Sequence, residues 1–441
     1  MNTKKDEAIN LHKMLKGKIE IHNKVSIENI FDEENGTLGL IYTPGVAYVA
    51  TAIKDNKELA YDYTSKWNNV AIICDGTRVL GLGNIGPEGA LPVMEGKSVL
   101  FKILGGINAF PLCIATKEKE EIIRFVKEIE PVFGAINIED IESPKVFDII
   151  KRLQNEISIP VFHDDQHGTA VITLAALINS LTLLNKKIDS IKVAISGAGS
   201  AGYGIFKILK KAGCKDIIVI DSKGAIYEGR EDIAGQDNGD AVGGVGRGAK
   251  SGGGDDISTK SSNSSNNTTS KYEISRNSNP RNLRGNLADV IKGADVFIGV
   301  SGRAGLLTAE MVNSMNQDAI IFALSNPDPE ILPPDALNAG ARIAATGRSD
   351  FPNQINNAVV FPSVLRALLD TRAKGLDEDM LVAASYAIAS LVERPHLKED
   401  YIIPKINDPR ILSTVVKTLK EAIKSSQNSK IGKKRIRCGR G

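Results

Sequence analysis

Residues 191–221, IKVAISGAGSAGYGIFKILKKAGCKDIIVID, constrain the fold of this chain more than any other stretch. A strand-like run (IKVAIS) leads into Gly197-Ala198-Gly199-Ser200-Ala201-Gly202, a helical pattern follows, and a second apolar run ends at Asp221. A bare GxGxxG is a weak signal. With a strand before it, a helix after it and an acid at the right distance, it becomes a specific one. Gly197 permits the tight turn, Gly199 lets the backbone approach a pyrophosphate, and Gly202 lets helix and strand pack closely. Amides at the helix start, around Ser200 and Ala201, face the phosphates with the positive end of the helix dipole behind them. The stretch predicts a Rossmann-type unit that binds a dinucleotide. Asp221 is placed to accept from the adenosine ribose hydroxyls, which favours NAD, while Lys223 leaves NADP open. ADVFIGVS (294–301) and AIIFALSNP (319–327) read as later strands of the same sheet, with Asn326 and the Asn356-Asn357 pair at its ligand edge.

Upstream, strand-length apolar runs again alternate with helical patterns, the mark of an α/β fold. VFGAINIED (132–140) and ISIPVFHDD (157–165) read as strands. Between them SPKVFDIIKRLQNE (143–156) reads as a helix, with Ser143 as N-cap and Pro144 at the first position. TAVITLAALINSLTLLN (169–185) is a long apolar helix. In a βαβ unit the two strands run parallel, so Glu139 and Asp140 meet Asp164 and Asp165 at one sheet edge. Four acids there are either a solvated edge or the oxygen ligands of Mg²⁺ or Mn²⁺. His163 and His167 straddle a strand end and a turn and are not expected to converge on zinc. Gly96-Lys97-Ser98 looks like the end of a P-loop, but Leu91 stands where that motif requires its first glycine.

Composition removes whole classes of function. Lys+Arg 55 against Asp+Glu 53 leaves no general field for nucleic acid or a membrane. No apolar run approaches the roughly 18 residues of a membrane span, and MNTKKDEAIN has no apolar leader. Cys74, Cys113, Cys214 and Cys438 show no metal or disulfide spacing, so reduced thiols in a cytoplasmic protein are expected. The tract from about Gly235 to Ser270 is Gly/Ser/Asn-rich and nearly devoid of large apolar side chains, and is expected to be a disordered insertion.

Several separate stretches then resemble one family. IYTPGVA (41–47), CDGTRVLGLGNIGPEGALPVMEGKSVLFK (74–102), NIEDIESPKVFDIIKRL (137–153), FHDDQHGTA (162–170), ISGAGSAG (195–202), ALSNPDPE (323–330) and TGRSDFPNQINNAVVFP (346–362) together resemble the malic enzymes of the compact bacterial and archaeal type. The resemblance covers most of the chain in the family's order; AYVA (47–50) departs from it. It implies an N-terminal malic-enzyme-type α/β domain over 1–165 and a Rossmann-type domain over 166–425, and it fails mainly in the low-complexity tract and in the basic tail over 426–441. It also implies oxidative decarboxylation of (S)-malate to pyruvate and CO₂, with oxaloacetate decarboxylation, NAD or NADP, Mg²⁺ or Mn²⁺, and a homodimer. By motif position it makes Glu139, Asp140 and Asp165 metal ligands, Lys97 the general base with Asp164 beside it, and Tyr42 the acid that protonates the enol. Arg78 matches a substrate-carboxylate arginine, and Asn326 and Asn357 match residues at substrate and nicotinamide. Two other readings stand beside this one: a decarboxylating dehydrogenase of another 2-hydroxy acid, and a silent nucleotide-binding regulator.

Overall fold

The computed structural model describes residues 38–234 and 265–438, side chains from 270 and up to 425 in the second range, and the single positions Ile9, Leu11, His12, Met14, Leu15, Lys18, Ile19 and Lys24. The apolar runs VAIIC, AINI and VFH become β1 (Asn69–Cys74), β3 (Ala135–Ile138) and β4 (Val161–His163), with β2 (Asn108–Cys113) at one edge. All four are parallel in the order β2-β1-β3-β4. Continuous rather than alternating hydrophobicity in β1 is what a strand buried on both faces requires. One face carries Ala71, Ile73, Ile136 and Ile138 and is covered by the apolar stripes of α2 (Lys119–Ile129) and α3 (Lys145–Glu156). The other carries Val70, Ile72 and Cys74 against α1 (Gly86–Gly105), through Ala90, Met94 and Phe101.

From β4 the chain passes through a π-helical turn, Asp164–Gly168, into α4 (Thr169–Leu183). Helix α4 is apolar on every side because it is covered on every side. The second sheet follows: β5 (Lys192–Ser196), α5 (Ser200–Lys211), β6 (Asp216–Asp221) and the short β7 (Gly224–Ala225). After α6 (Ser265–Asn277) come β8 (Val296–Gly299), β9 (Ile320–Ala323) and β10 (Ile343–Thr346). The order is β10-β9-β8-β5-β6-β7, parallel except for β7. Helix α7 (Phe361–Asp370) returns to the first sheet and packs on α1, while α8 (Glu378–Ala389) packs on α4 and α9 (Arg410–Cys438) packs on α7 and α8. Phe361 of α7 packs on Phe101 of α1 at 4.6 Å between ring centres, and one apolar cluster runs through both sheets. The expected boundary at 165/166 falls inside the π-helical turn.

Three local expectations are corrected. Helix α3 starts at Lys145, with Pro144 rather than Ser143 in the cap position and no side-chain cap bond; the first free amides use the Glu142 and Pro144 carbonyls instead. The low-complexity tract was expected to reach Ser270, yet α6 begins at Ser265, because buried Ile274 and Ser270 anchor it. Residues 235–264 lie outside the described ones. The tail expected from 426 continues the α9 helix to Cys438. Gly96-Lys97-Ser98 sits within α1, where its amides belong to the helix ladder, so it forms no phosphate loop.

Candidate active site

The ends of β3 and β4 deliver their acids to one place. Glu139, Asp140 and Asp165 each offer a carboxylate oxygen, and these atoms lie within 4.8 Å of one another. Asp140 holds a left-handed φ of +50°, a conformation an aspartate tolerates better than most side chains. Its amide donates to Asp165 Oδ2 at 3.2 Å, and Asn137 Nδ2, buried in mid-strand, donates to Glu139 Oε2 at 3.0 Å. Burial, reinforced by Asp165, pushes the Asp140 carboxyl up to about 8. Burial and the neighbouring acids also push Glu139 well above the carboxylate range, with Lys97 opposing. Asp165 is held below its usual value despite burial, chiefly by His163, whose Nε2 lies 3.3 Å from Asp165 Oδ2. Such a crowded all-oxygen set is costly by itself and fits a hard divalent cation.

The π-helical turn folds back so that the His163 amide donates to His167 Nδ1 at 3.1 Å, and neither histidine belongs to the carboxylate group that could hold a metal. Burial and His163 push His167 down to about 3, so it is a neutral structural group, while His163 backs Asp165.

Lys97 reaches the same acids from α1. Its Nζ donates to Asp164 Oδ2 at 2.6 Å and to Glu139 Oε1 at 2.7 Å, and it lies 4.4 Å from the centre of the Phe361 ring. Burial opposes the ammonium, but the Asp164 and Glu139 carboxylates outweigh it and hold Lys97 above the usual lysine range. Asn357 Nδ2 ties Asp164 Oδ2 (3.2 Å) to Thr169 Oγ1 (3.1 Å). Asp164 Oδ1 is buried without a hydrogen-bond partner, an acceptor aimed at a missing donor.

A cleft of about 650 Å³ opens over these groups and is lined by Arg78, Glu139, Asp140, Asp164, Asp165, Asn326, Asn357 and the Gly199-Ser200-Ala201 loop. Gly197 and Gly202, on either side of that loop, are required by contact, whereas a Cβ on Gly199 would meet nothing closer than Ser143 Oγ at 3.7 Å. A Cβ on Gly197, at φ +117°, would lie 2.7 Å from the Val300 carbonyl oxygen, and one on Gly202 would overlap the Gly197 carbonyl. Gly199 stands at the N-cap of α5, with Ser200 and Ala201 opening the helix. Arg78 is fixed through its backbone, its amide donating to the Asp140 carbonyl at 3.1 Å.

Two expected residues are placed differently. Tyr42 is 68 % exposed, in the turn after the Leu38–Ile41 helix, and is not among the residues lining the cleft. Asp221 ends β6 beside Gly197, yet its carboxylate is fully engaged. Oδ1 accepts from the Lys223 amide and Arg230 Nη1, and Oδ2 from Arg230 Nη2 and Lys271 Nζ, both at 2.6 Å. These donors overcome burial and hold it down at about 2. Lys223 Nζ instead pairs with Asp232 at 2.9 Å. The sequence reading missed Arg230, Lys271, Asn137 and Thr169, and also Glu330. That fully buried carboxylate accepts from the Ser301 and Ser325 amides and hydroxyls, tying the ends of β8 and β9 together. A polar residue inside an apolar strand (Asn137) and an acid in SNPDPE (Glu330) were the available signals.

The same fold is found in known proteins. Residues 17–154 match the model of the malic enzyme N-terminal domain, and residues 166–239 and 257–423 match that of the malic enzyme NAD binding domain. The chain is 48 % identical over 418 residues to the bifunctional malic/malolactic enzyme of Bacillus subtilis, covering 95 % of this chain and 92 % of that one. It is 46 % identical over 406 residues to an NAD-dependent malic enzyme of Geobacillus stearothermophilus, covering 92 % and 76 % respectively. The crystal structure of an NAD-dependent malic enzyme from Thermotoga maritima superposes with a TM-score of 0.81 at 43 % identity, covering 94 % of this chain and 98 % of that one. Fold, motif order and both domain matches therefore agree: this chain belongs to the malic enzyme family.

Proposed function

We propose that the chain catalyses the divalent-metal-dependent oxidative decarboxylation of (S)-malate to pyruvate and CO₂, reducing NAD(P)⁺. The observation that carries this is the convergence of Asp164 and the Glu139–Asp140–Asp165 trio on a cleft shared with the Gly199-Ser200-Ala201 loop, with Lys97 bonded to Glu139 and Asp164 at its wall. A cation held by Glu139, Asp140 and Asp165 would polarise the C2 oxygen and stabilise negative charge as CO₂ leaves. The remaining roles belong to side chains. Arg78 holds a malate carboxylate, and Asn326 and Asn357 orient substrate against the nicotinamide. Lys97 Nζ accepts the C2 hydroxyl proton as hydride leaves C2. With Glu139 engaged by such a cation, less of its charge would hold the Lys97 ammonium, and burial, which disfavours that ammonium, would gain weight against Asp164. Asp164, locked by Asn357, keeps the amine aimed. The test is an absorbance assay at the NAD(P)H band with malate, Mn²⁺ and each cofactor; no reduction with either cofactor would sink the reading. The name of the Bacillus subtilis relative favours a second one, direct decarboxylation of malate to lactate at the same cleft. Lactate formed without net reduction of cofactor separates the two.

Tyr42 serves as the enol-protonating acid in a homodimer. Leu40, Tyr42 and Tyr48 each expose a large apolar side chain within nine residues of one another, the kind of surface that a partner subunit would cover. Among the described residues no helix is long and apolar enough to cross a membrane.

Two predictions follow from the electrostatics. At neutral pH Asp140 carries a proton in the cation-free fold, so binding Mn²⁺ should release protons. Calorimetry in buffers of different ionisation heat should show that release at pH 7 and its disappearance above about pH 8. Because the folded value lies above the ordinary one, the cation-free fold should also lose stability as pH rises through about 8, read as Tm in chelator.

The second concerns the cofactor. Asp221 favours NAD⁺ only if a ribose hydroxyl displaces one of its four donors, and Lys271 is the most exposed side chain among them. Lys271→Ala should raise the NAD⁺/NADP⁺ ratio of kcat/KM by roughly tenfold, the value of one charge-assisted hydrogen bond. An unchanged ratio would mean that Asp221 does not meet the ribose.

A further inference from the structure

Two thiols stand next to the site and take no part in the chemistry above. Cys74 is the last residue of β1 and Cys113 the last of β2, and they are direct partners in the parallel ladder. Both side chains lie on the sheet face covered by α1, and both are free thiols. Neighbouring parallel strands run about 4.8 Å apart. That separation falls within the roughly 4.4–6.8 Å range of Cα distances that a disulfide spans. Cys74 is fully buried, whereas Cys113, on the edge strand, is half-buried and reachable from solvent.

Cys74 also holds part of the site. Its Sγ accepts the Gly76 amide at 3.3 Å, at the start of the turn that presents Arg78. Gly76 has a φ of +68°, and its carbonyl accepts from the Ile85 and Gly86 amides at 3.1 and 3.2 Å. One residue before Cys74, the Ile73 carbonyl accepts the Glu139 amide at 2.9 Å. Thus the end of β1 is bonded on one side to the carboxylate cage and on the other to the Arg78 turn.

We propose that Cys74 and Cys113 form a reversible disulfide under peroxide, and that this bond switches the active site off. The Cys113 sulfur attacks a peroxide oxygen; the O–O bond breaks, water leaves and a sulfenic acid remains. The Cys74 sulfur then attacks the Cys113 sulfur, the S–S bond forms, the S–O bond breaks and hydroxide leaves with the Cys74 proton as a second water. Two thiols and one hydrogen peroxide give one disulfide and two waters. The hydrogen bond from Cys74 holds Cys113 below the usual thiol range, against burial, Glu88 and Glu95, and the same contact with burial raises Cys74. Cys113 is therefore the attacking sulfur and Cys74 the resolving one. Closing the bond draws the two Cβ atoms together by under roughly 1 Å. It also takes Sγ from the Gly76 amide, displacing Arg78 and the strand end behind Glu139. Displacements of that size at a reacting centre cost on the order of 10²-fold in rate.

The consequence for turnover rests on the malate reading; formation of the bond does not. The full-length enzyme is treated with graded hydrogen peroxide, digested without reductant and mapped by mass spectrometry, with malate-dependent cofactor reduction followed before and after dithiothreitol. The expected result is a peptide pair linked through Cys74 and Cys113, a fall in turnover on the order of 10²-fold and recovery with dithiothreitol. Cys113→Ser, outside the catalytic groups, should start at wild-type rate and resist the same dose. Absence of the linked pair, full turnover with the pair formed, or equal loss in Cys113→Ser would each overturn the proposal. An enzyme inert toward malate before treatment would refute the malate reading alone, and the linked pair would still decide whether the disulfide forms.

Discussion

Lys97→Ala should lower malate oxidation by about 10²–10⁴, the range for removal of a general base, and no excess of Mn²⁺ should restore it. The variant takes away the ammonium that Asp164 and Glu139 both grip at 2.6 and 2.7 Å, and leaves the Glu139–Asp140–Asp165 set in place. Removing a competing cation from Glu139 should leave Mn²⁺ affinity equal or higher, measured by calorimetry. Oxaloacetate separates the steps, since its decarboxylation requires no hydroxyl proton to be removed. The variant should keep a much larger fraction of that partial reaction than of malate oxidation. Equal loss of both, or weaker Mn²⁺ binding, would show that Lys97 supports the cage rather than taking the proton. A stability cost is expected too, because Asp164, at 4 % side-chain exposure, loses its cation and keeps only Asn357.

What the sequence disclosed of this site is what local pattern can carry. The dinucleotide loop was legible because most of its demands are local: Gly197 holds a φ of +117° and Gly202 faces the Gly197 carbonyl five residues back, while the Val300 carbonyl that also crowds Gly197 comes from a distant strand end. The acids were legible as a set because a βαβ unit has one geometry, which brings Glu139 and Asp165 together whatever surrounds them. Lys97 was different. Within its own stretch it looks like the end of a failed phosphate loop, and only the packing of α1 on β1 and β2 brings its amine to Glu139 and Asp164. Asp221 shows the opposite failure. Its position was read correctly, but its occupation by Lys271, 50 residues away across the low-complexity tract, follows from packing that no local pattern encodes. Tyr42 was placed in the site by motif, and the single chain leaves it in solvent. The role proposed for it rests on the proposed homodimer, a level above what a pattern of residues specifies.

Asp165→Ala tests the other half of the site. Replacement removes one of three anionic donors and also strips the Asp140 amide and His163 Nε2 of their partner at 3.2 and 3.3 Å. Loss of a group that merely orients a ligand costs roughly 10–100-fold in metal affinity, so loss of a ligand itself should cost at least about 10²-fold. Malate turnover at low Mn²⁺ should fall in proportion, and raising Mn²⁺ should recover part of it, unlike in the Lys97 variant. Recovery should be incomplete, because Asp140, released from the Asp165 contact, no longer holds its left-handed turn as firmly. Asp165→Asn keeps the shape and removes the charge, so it should fall between alanine and wild type. If Asp165→Ala bound Mn²⁺ like the wild type yet turned over slowly, the carboxylate would be serving His163 and the Asp140 backbone. The cation would then rest on Glu139 and Asp140, with Asp164, whose Oδ1 is buried and unpartnered, as the third donor.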